Sequence, residues 1–148
     1  MEYTQCRLGR VFVVRFDHGE DFLKELTGLI KKEDIRAGII HFLGALERAE
    51  VVVGPEKPVV PPTPMWRSFQ DGREVVGLGT IFWKDNEPKV HIHSTIGREE
   101  KLSLGCIRKE AKIYLTIEAT ILELEGAKAK RQLDEKTKLD LLELGGRG

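Results

Sequence analysis

Residues 90–106 read Val-His-Ile-His-Ser-Thr-Ile-Gly-Arg-Glu-Glu-Lys-Leu-Ser-Leu-Gly-Cys. The segment opens with a clear alternation: Val90, Ile92 and Ile96 fall on one parity, His91, His93 and Thr95 on the other. A strand sends alternate side chains to opposite faces, so both imidazoles leave the same face, about 6.5–7 Å apart at the backbone. Rings so spaced can converge on one ion. A charged turn follows, and then a second extended run, Leu102–Ile107, that could bring the Cys106 thiol to the same place. Two nitrogens and a sulfur make three protein ligands and leave a position open if the ion is zinc. His91, His93 and Cys106 are therefore the candidate metal ligands.

Upstream, Arg73–Trp83 (REVVGLGTIFW) reads as a strand, entered from a hairpin turn signal at Asp71-Gly72. Gly77 and Gly79 share one face of it, which implies that another group approaches this backbone closely. Gly54–Pro64 holds five of the six prolines and cannot pair centrally in a sheet, so it reads as an extended excursion. Met65, Trp66 and Phe69 suggest that its end packs down. Before it, Ala37–Leu43 and Leu46–Val53 read as two strands with a bend or bulge at Gly44-Ala45. His41 among apolar neighbours reads as a hydrogen-bonded core histidine.

Arg7–Phe16 is rich in β-branched and aromatic residues and reads as the first strand. Asp17 with Glu20 resembles a capping box, and Phe22, Leu23, Leu26, Leu29 and Ile30 form one face of a helix ending near Lys32. His18, beside Gly19, is expected to shape the turn there, with a ligand or base role as the alternative. Downstream of Cys106, Arg108–Lys112 reads as a charged link, Ile113–Leu124 as a long strand with Glu118 in its middle, and Ala127–Leu133 as a short strand. Leu139–Leu144 is a last strand or a helical turn. The fold class is α+β, a mostly antiparallel β-sheet with one main α-helix packed on it, in a single domain over 1–148.

Lys and Arg number 24 and so do Asp and Glu, a formal net charge of zero that weighs against a whole-molecule electrostatic grip on nucleic acid. Charged residues make up 32% while Asn occurs once, a composition that leans towards a thermophilic source. Cys6 and Cys106 make no disulfide framework. No signal peptide or membrane-length apolar run is visible, so a cytoplasmic setting is expected. No Gly-rich phosphate loop leads from a strand into a helix, so no nucleotide cofactor is expected.

Taken in order, His18-Gly19-Glu20-Asp21, Leu43-Gly44-Ala45-Leu46, Gly72–Thr80, His91-Ile92-His93 and Leu122-Glu123-Leu124 followed by Leu133–Thr137 resemble the plants-and-prokaryotes-conserved (PPC) domain. The resemblance spans roughly Arg7 to Leu144 and implies a mostly antiparallel α+β fold and a homotrimer. Plant members place such a domain behind a DNA-binding AT-hook, and standalone prokaryotic members are often provisionally labelled DNA-binding. Here the AT-hook core is absent, Gly146-Arg147-Gly148 being a fragment without its proline. Arg73 and Glu74 lie in the stretch linked with partner interaction in plant members, though a cross-strand ion pair explains them equally. Some members complete a three-histidine metal cluster with Gly-Gly-His, where this chain has Leu104-Gly105-Cys106.

Two functions follow. The first is a homotrimeric binding or assembly module, associated with DNA or a regulator, with Pro62–Trp66 hidden between subunits. His91, His93 and Cys106 either hold zinc in it or, the site being lost, leave the histidines hydrogen-bonded at a subunit interface and Cys106 as a small buried hydrophobe. The module is favoured because no nucleophile–base–orienter set stands out. The alternative is a zinc-dependent enzyme of unknown substrate using the same three residues, with Glu118 or His41 as base.

Overall fold

The computed structural model describes residues 1–145; the Gly146-Arg147-Gly148 fragment lies outside them. The elements run β1 (Arg7–Asp17), α1 (Phe22–Lys32), β2 (Ala37–Pro55), β3 (Pro64–Phe69), β4 (Arg73–Lys84), β5 (Glu87–Arg98), β6 (Lys101–Glu125), β7 (Ala129–Asp134) and β8 (Leu139–Leu144). β1 to β6 form one six-stranded sheet, every ladder antiparallel, and β7 and β8 form a separate hairpin. The expected α+β architecture with one helix is what the chain adopts.

The topology depends on two long strands. β2 runs 19 residues and β6 runs 25, and they pair along most of their lengths. β2 also pairs with β4, β4 with β5, and β5 with the first part of β6, so the ladders close on themselves in a circuit. Ala37–Leu43 and Leu46–Val53 are thus one strand rather than two. The bend between them is real: the ladder to β6 shifts register at Gly44, where φ is +143° and an added Cβ would lie 2.2 Å from the Thr116 carbonyl oxygen. Likewise the charged link at Arg108–Lys112 lies inside β6, its charges pointing outward while Ile107, Ala111 and Ile113 stay buried.

Asp71-Gly72 does not join a hairpin. β3 pairs with Ala49–Pro55 and β4 with Ala37–Leu46, both on the same edge of β2, so they are two collinear pieces of one strand. Gly72, at φ +68°, donates its N–H to the Glu47 carbonyl and carries the chain across the gap.

The helix begins at a different aspartate from the one the sequence suggests. Asp21 is the N-cap: its Oδ1 accepts from Lys24 N at 2.9 Å, and its Oδ2 accepts from Ala111 N at 3.1 Å, which ties the helix start to β6. Glu20 does return its carboxylate to Asp17 N, at 2.8 Å, but this holds the preceding turn. Phe22, Leu26 and Ile30, spaced by four, are fully buried. Phe22 packs on Phe42 of β2, ring centroids 4.8 Å apart, and on Phe16 of β1 at 5.2 Å. The core therefore fills the inner face of the sheet under the helix, with Ile40, Ile92, Ile96, Ile113, Ile117 and Ile121 from the strands. Gly77 and Gly79 make room for it. A Cβ at Gly77 would stand 2.4 Å from the Phe42 ring, and one at Gly79 2.7 Å from Ile92.

Candidate metal centre

In the β5–β6 ladder His93 stands directly opposite Cys106, and the two share a face. His91 is two residues back on the same face, so alternation alone aims both rings at the thiol. The ligand atoms of His91, His93 and Cys106 all lie within 4.8 Å of one another. The two Nε2 atoms are 3.0 Å apart, one donating and the other accepting, with the rings set edge to face at 4.9 Å. Tetrahedral zinc with nitrogen and sulfur ligands needs donor atoms about 3.3–3.6 Å apart. The present spacing brackets that value, so small side-chain rotations suffice. The donor set fits zinc.

The electrostatics leave His91 ready to ligate but surround the cluster with positive charge. His91 presents part of its ring to solvent, yet its pKa is pushed from 6.5 down to about 4. Desolvation at its packed edge comes first, then repulsion from His93, Arg131 and Arg108. It is therefore neutral at pH 7, the form that ligates. Cys106 is 4% exposed, and burial raises its thiol pKa while the nearby Arg108 opposes the rise. The thiol must give up a proton to become a ligand, so metal capture there releases acid.

Two cavities flank the cluster. One, of about 680 Å³, lies on the His93 and Cys106 side against Pro62, Pro64, Trp66 and Leu104. The other, of about 630 Å³, lies on the His91 side under the β7–β8 hairpin, and Arg108 borders both. The proline-rich segment thus forms a wall of the space beside the ligands, and its end packs down through Trp66, under Lys109 Nζ at 4.6 Å.

The other sequence candidates lie elsewhere. His18 accepts the Leu115 N–H on Nδ1 at 3.1 Å and so holds a bulged turn of β6, where Leu115 has φ +59°. His41 is exposed rather than buried in the core. It faces outward in a row that runs Thr120, His41, Leu78, His93 across the sheet, which puts it about 9–10 Å from His93 with Leu78 between. Glu118 is exposed in the next row, opposite Leu43. Neither belongs to the cluster. Arg73 pairs with Asp71, Nε to Oδ1 at 2.7 Å, while Glu74 lies exposed. Arg108 and Arg131, which bear on the site, carry no motif. Arg108 sits in a charge run that reads as a link, and Arg131 in a hairpin far along the chain.

The outer face of the same strands also carries exposed apolar residues among the polar ones. Val13, Leu43, Val76, Leu78 and Leu104 all project from it, Val13 88% and Leu104 63% exposed, with no element of the described residues over them.

Solved structures share this architecture. A plant- and prokaryote-conserved (PPC) protein from Pyrococcus horikoshii superposes with a TM-score of 0.85 at 27% identity, covering 99% of this chain and all of that one. A metal-containing protein from Archaeoglobus fulgidus gives 0.84 at 24% identity over 95% of this chain and 98% of that one. A protein from Ralstonia eutropha, provisionally described as DNA-binding, gives 0.76 at 18% identity over 90% of each chain. No curated protein matches. The sequence profile of the Plants and Prokaryotes Conserved (PCC) domain matches residues 3–125, which takes in β1 to β6 and all three candidate ligands. On that match, carried by this fold, the chain belongs to the Plants and Prokaryotes Conserved domain family.

Proposed function

We propose that the chain is a homotrimeric binding module, a single unit over 1–148, built around a zinc site of His91, His93 and Cys106. The observation that carries this reading is the juxtaposition on one sheet face of three convergent soft and borderline ligands with a set of exposed large apolar side chains. Zinc accepts imidazole and thiolate together, and the thiolate strengthens retention while reducing Lewis acidity. A similar structure described as metal-containing supports the metal reading. The outer face, with Val13, Leu43, Val76 and Leu78, is the surface that copies of the chain bury against one another. Pro62–Trp66 border the same side and close over the ligands at the subunit boundary.

Two similar structures are described, provisionally, as DNA-binding, and DNA is the macromolecular partner this raises. The balance of 24 basic and 24 acidic residues makes any such association weak and steeply salt-dependent. The runner-up reading is a zinc-dependent enzyme. It is favoured by the two cavities that open beside the ligands, large enough for a small substrate. Zinc would supply Lewis-acid chemistry there, and the chain's own contribution would be orientation by Arg108 and exclusion of water by Trp66 and the prolines.

The test is elemental analysis with sedimentation equilibrium on tag-free protein, beside a His93→Ala, Cys106→Ser double variant. About one zinc per chain, lost in the variant, and a mass three times the 16.8 kDa chain support the reading. A metal-free protein of single-chain mass overturns it.

A further inference from the structure

The cavity beneath the β7–β8 hairpin has a chemistry that the metal site does not explain. It is walled by Arg131 from β7, Arg108 from β6, Lys89 from β5, and Lys84 at the end of β4, with Asp140 as the carboxylate in its lining. Asp140 is already engaged, its Oδ1 accepting from Lys84 Nζ at 2.5 Å. Lys138, also at the rim, is paired with Glu135. Among the described residues no carboxylate comes within ion-pair distance of Arg131, Arg108 or Lys89.

Arg131 is the unusual member. It is 7% exposed, and its guanidinium packs toward the Phe82 ring at 5.8 Å while Nη2 donates to Thr80 Oγ1 at 2.9 Å. A buried guanidinium whose direct partner is one neutral hydroxyl is expensive, because the nearest carboxylate, Asp140, is already bonded to Lys84 and offsets its desolvation only in part. The penalty shows electrostatically: burial first, and then the neighbouring Arg108, hold Arg131 below the usual arginine range against a smaller opposing pull from Asp140. Keeping two guanidiniums near each other in a recess makes physical sense when an anion is to be held between them. Arginine forks match phosphate oxygens in a bidentate way, and lysine adds a point charge. Leu23, Val90, Ile107 and Leu141 give the rest of the wall an apolar stretch beside Thr27 and His91, and the space of about 630 Å³ exceeds what one phosphoryl group fills.

We propose that this cavity is a binding site for a small phosphate monoester with an apolar body, its phosphoryl group held by Arg131, Arg108 and Lys89. The site does not require the metal. Its closeness to His91 would set the ester's body within reach of the cluster, but the anchoring charges are the chain's own. A phosphodiester backbone offers the same chemistry, yet it is a long convex strand and cannot enter a recess roofed by a hairpin.

The probe is phenyl phosphate, titrated by calorimetry into the full chain after chelation, in a buffer without phosphate or sulfate. Saturable binding is expected, with inorganic phosphate weaker and competitive. Arg131→Met should weaken it at least about tenfold, the scale of one charge-assisted bidentate contact. Lys130→Met, which removes a neighbouring charge paired with Glu143 outside the cavity, should leave it unchanged. Because Arg131→Met could unsettle the hairpin, Arg108→Gln is measured beside it, with circular dichroism confirming the fold. No saturable binding to the wild type overturns the proposal, and so does unchanged affinity in both arginine variants. Binding that vanishes on chelation would place the anion on the metal instead. A short DNA duplex that binds through Arg131 when phenyl phosphate does not would overturn the small-molecule assignment.

Discussion

Both faces of the β2–β4–β5 surface carry large apolar residues, and they differ in what covers them. Inward lie Ile40, Phe42, Ile81 and Ile92, buried under the helix and the far strands. Outward lie Leu43, Val76 and Leu78, more than half exposed, with His41 among them and His93 opposite Leu78. A sheet with one wet face alternates apolar and polar residues; a sheet apolar on both faces reads as a continuous run. Ala37–Leu43 and Arg73–Trp83 mix the two patterns, since each sets apolar residues on its outward parity beside polar ones such as His41, Glu74 and Thr80.

The largest effect should come from breaking the inner face. Ile92→Ala removes a 1% exposed side chain and is expected to cost about 2–5 kcal/mol in chemical denaturation. Leu78→Ala, on the outer face of the partner strand, should stay within about 0.5 kcal/mol at high dilution while shifting the mass distribution toward the single chain. Equal, concentration-independent losses from the two would collapse the distinction between the faces.

Acid should separate them next. His91 titrates near 6.5 when unfolded but at about 4 when folded, so between those values the unfolded chain binds more protons. Its contribution to stability is fully present above about 6.5 and is lost as pH falls toward about 4. Melting curves of the metal-free protein should show that fall, and His91→Gln should flatten it.

The smallest effect lies inside. Ser94, 1% exposed on the inner parity of β5, has an Oγ with no hydrogen-bond partner among the described residues. Ser94→Ala should be neutral or stabilising by up to about 1 kcal/mol, read as a shift in the denaturation midpoint. A clear loss of stability would mean that the hydroxyl is bonded in solution.

The candidate ligands were legible because alternation is local: His91 and His93 share a face by parity, and one turn brings Cys106 opposite. The helix was legible for the same reason, from the spacing of Phe22, Leu26 and Ile30. What local reading missed was set at long range. Asp71-Gly72 has the chemistry of a hairpin turn, but β2 is long enough to pair with both flanking strands, so the turn became a splice. Arg108–Lys112 looked like a link because its charges mask the inward residues Ile107, Ala111 and Ile113 that keep β6 in the sheet. Arg131 gave no signal because its burial depends on how its own hairpin docks on β4, which no spacing announces.

β6 carries a consequence for how the protein is made. In the sheet β1 pairs with β6 alone, from Arg7 against Glu125 to Asp17 against Thr116, across about a hundred intervening residues. During synthesis the first strand therefore leaves the ribosome with no mate, and the circuit of β2, β4 and β5 stays open at its edges until β6 follows. Contacts of such separation fold slowly and leave apolar edges free to pair with the wrong chain. A polypeptide halted before residue 125 should be captured by chaperones or aggregate, whereas release of β6 lets its ladders to β1, β2 and β5 close together.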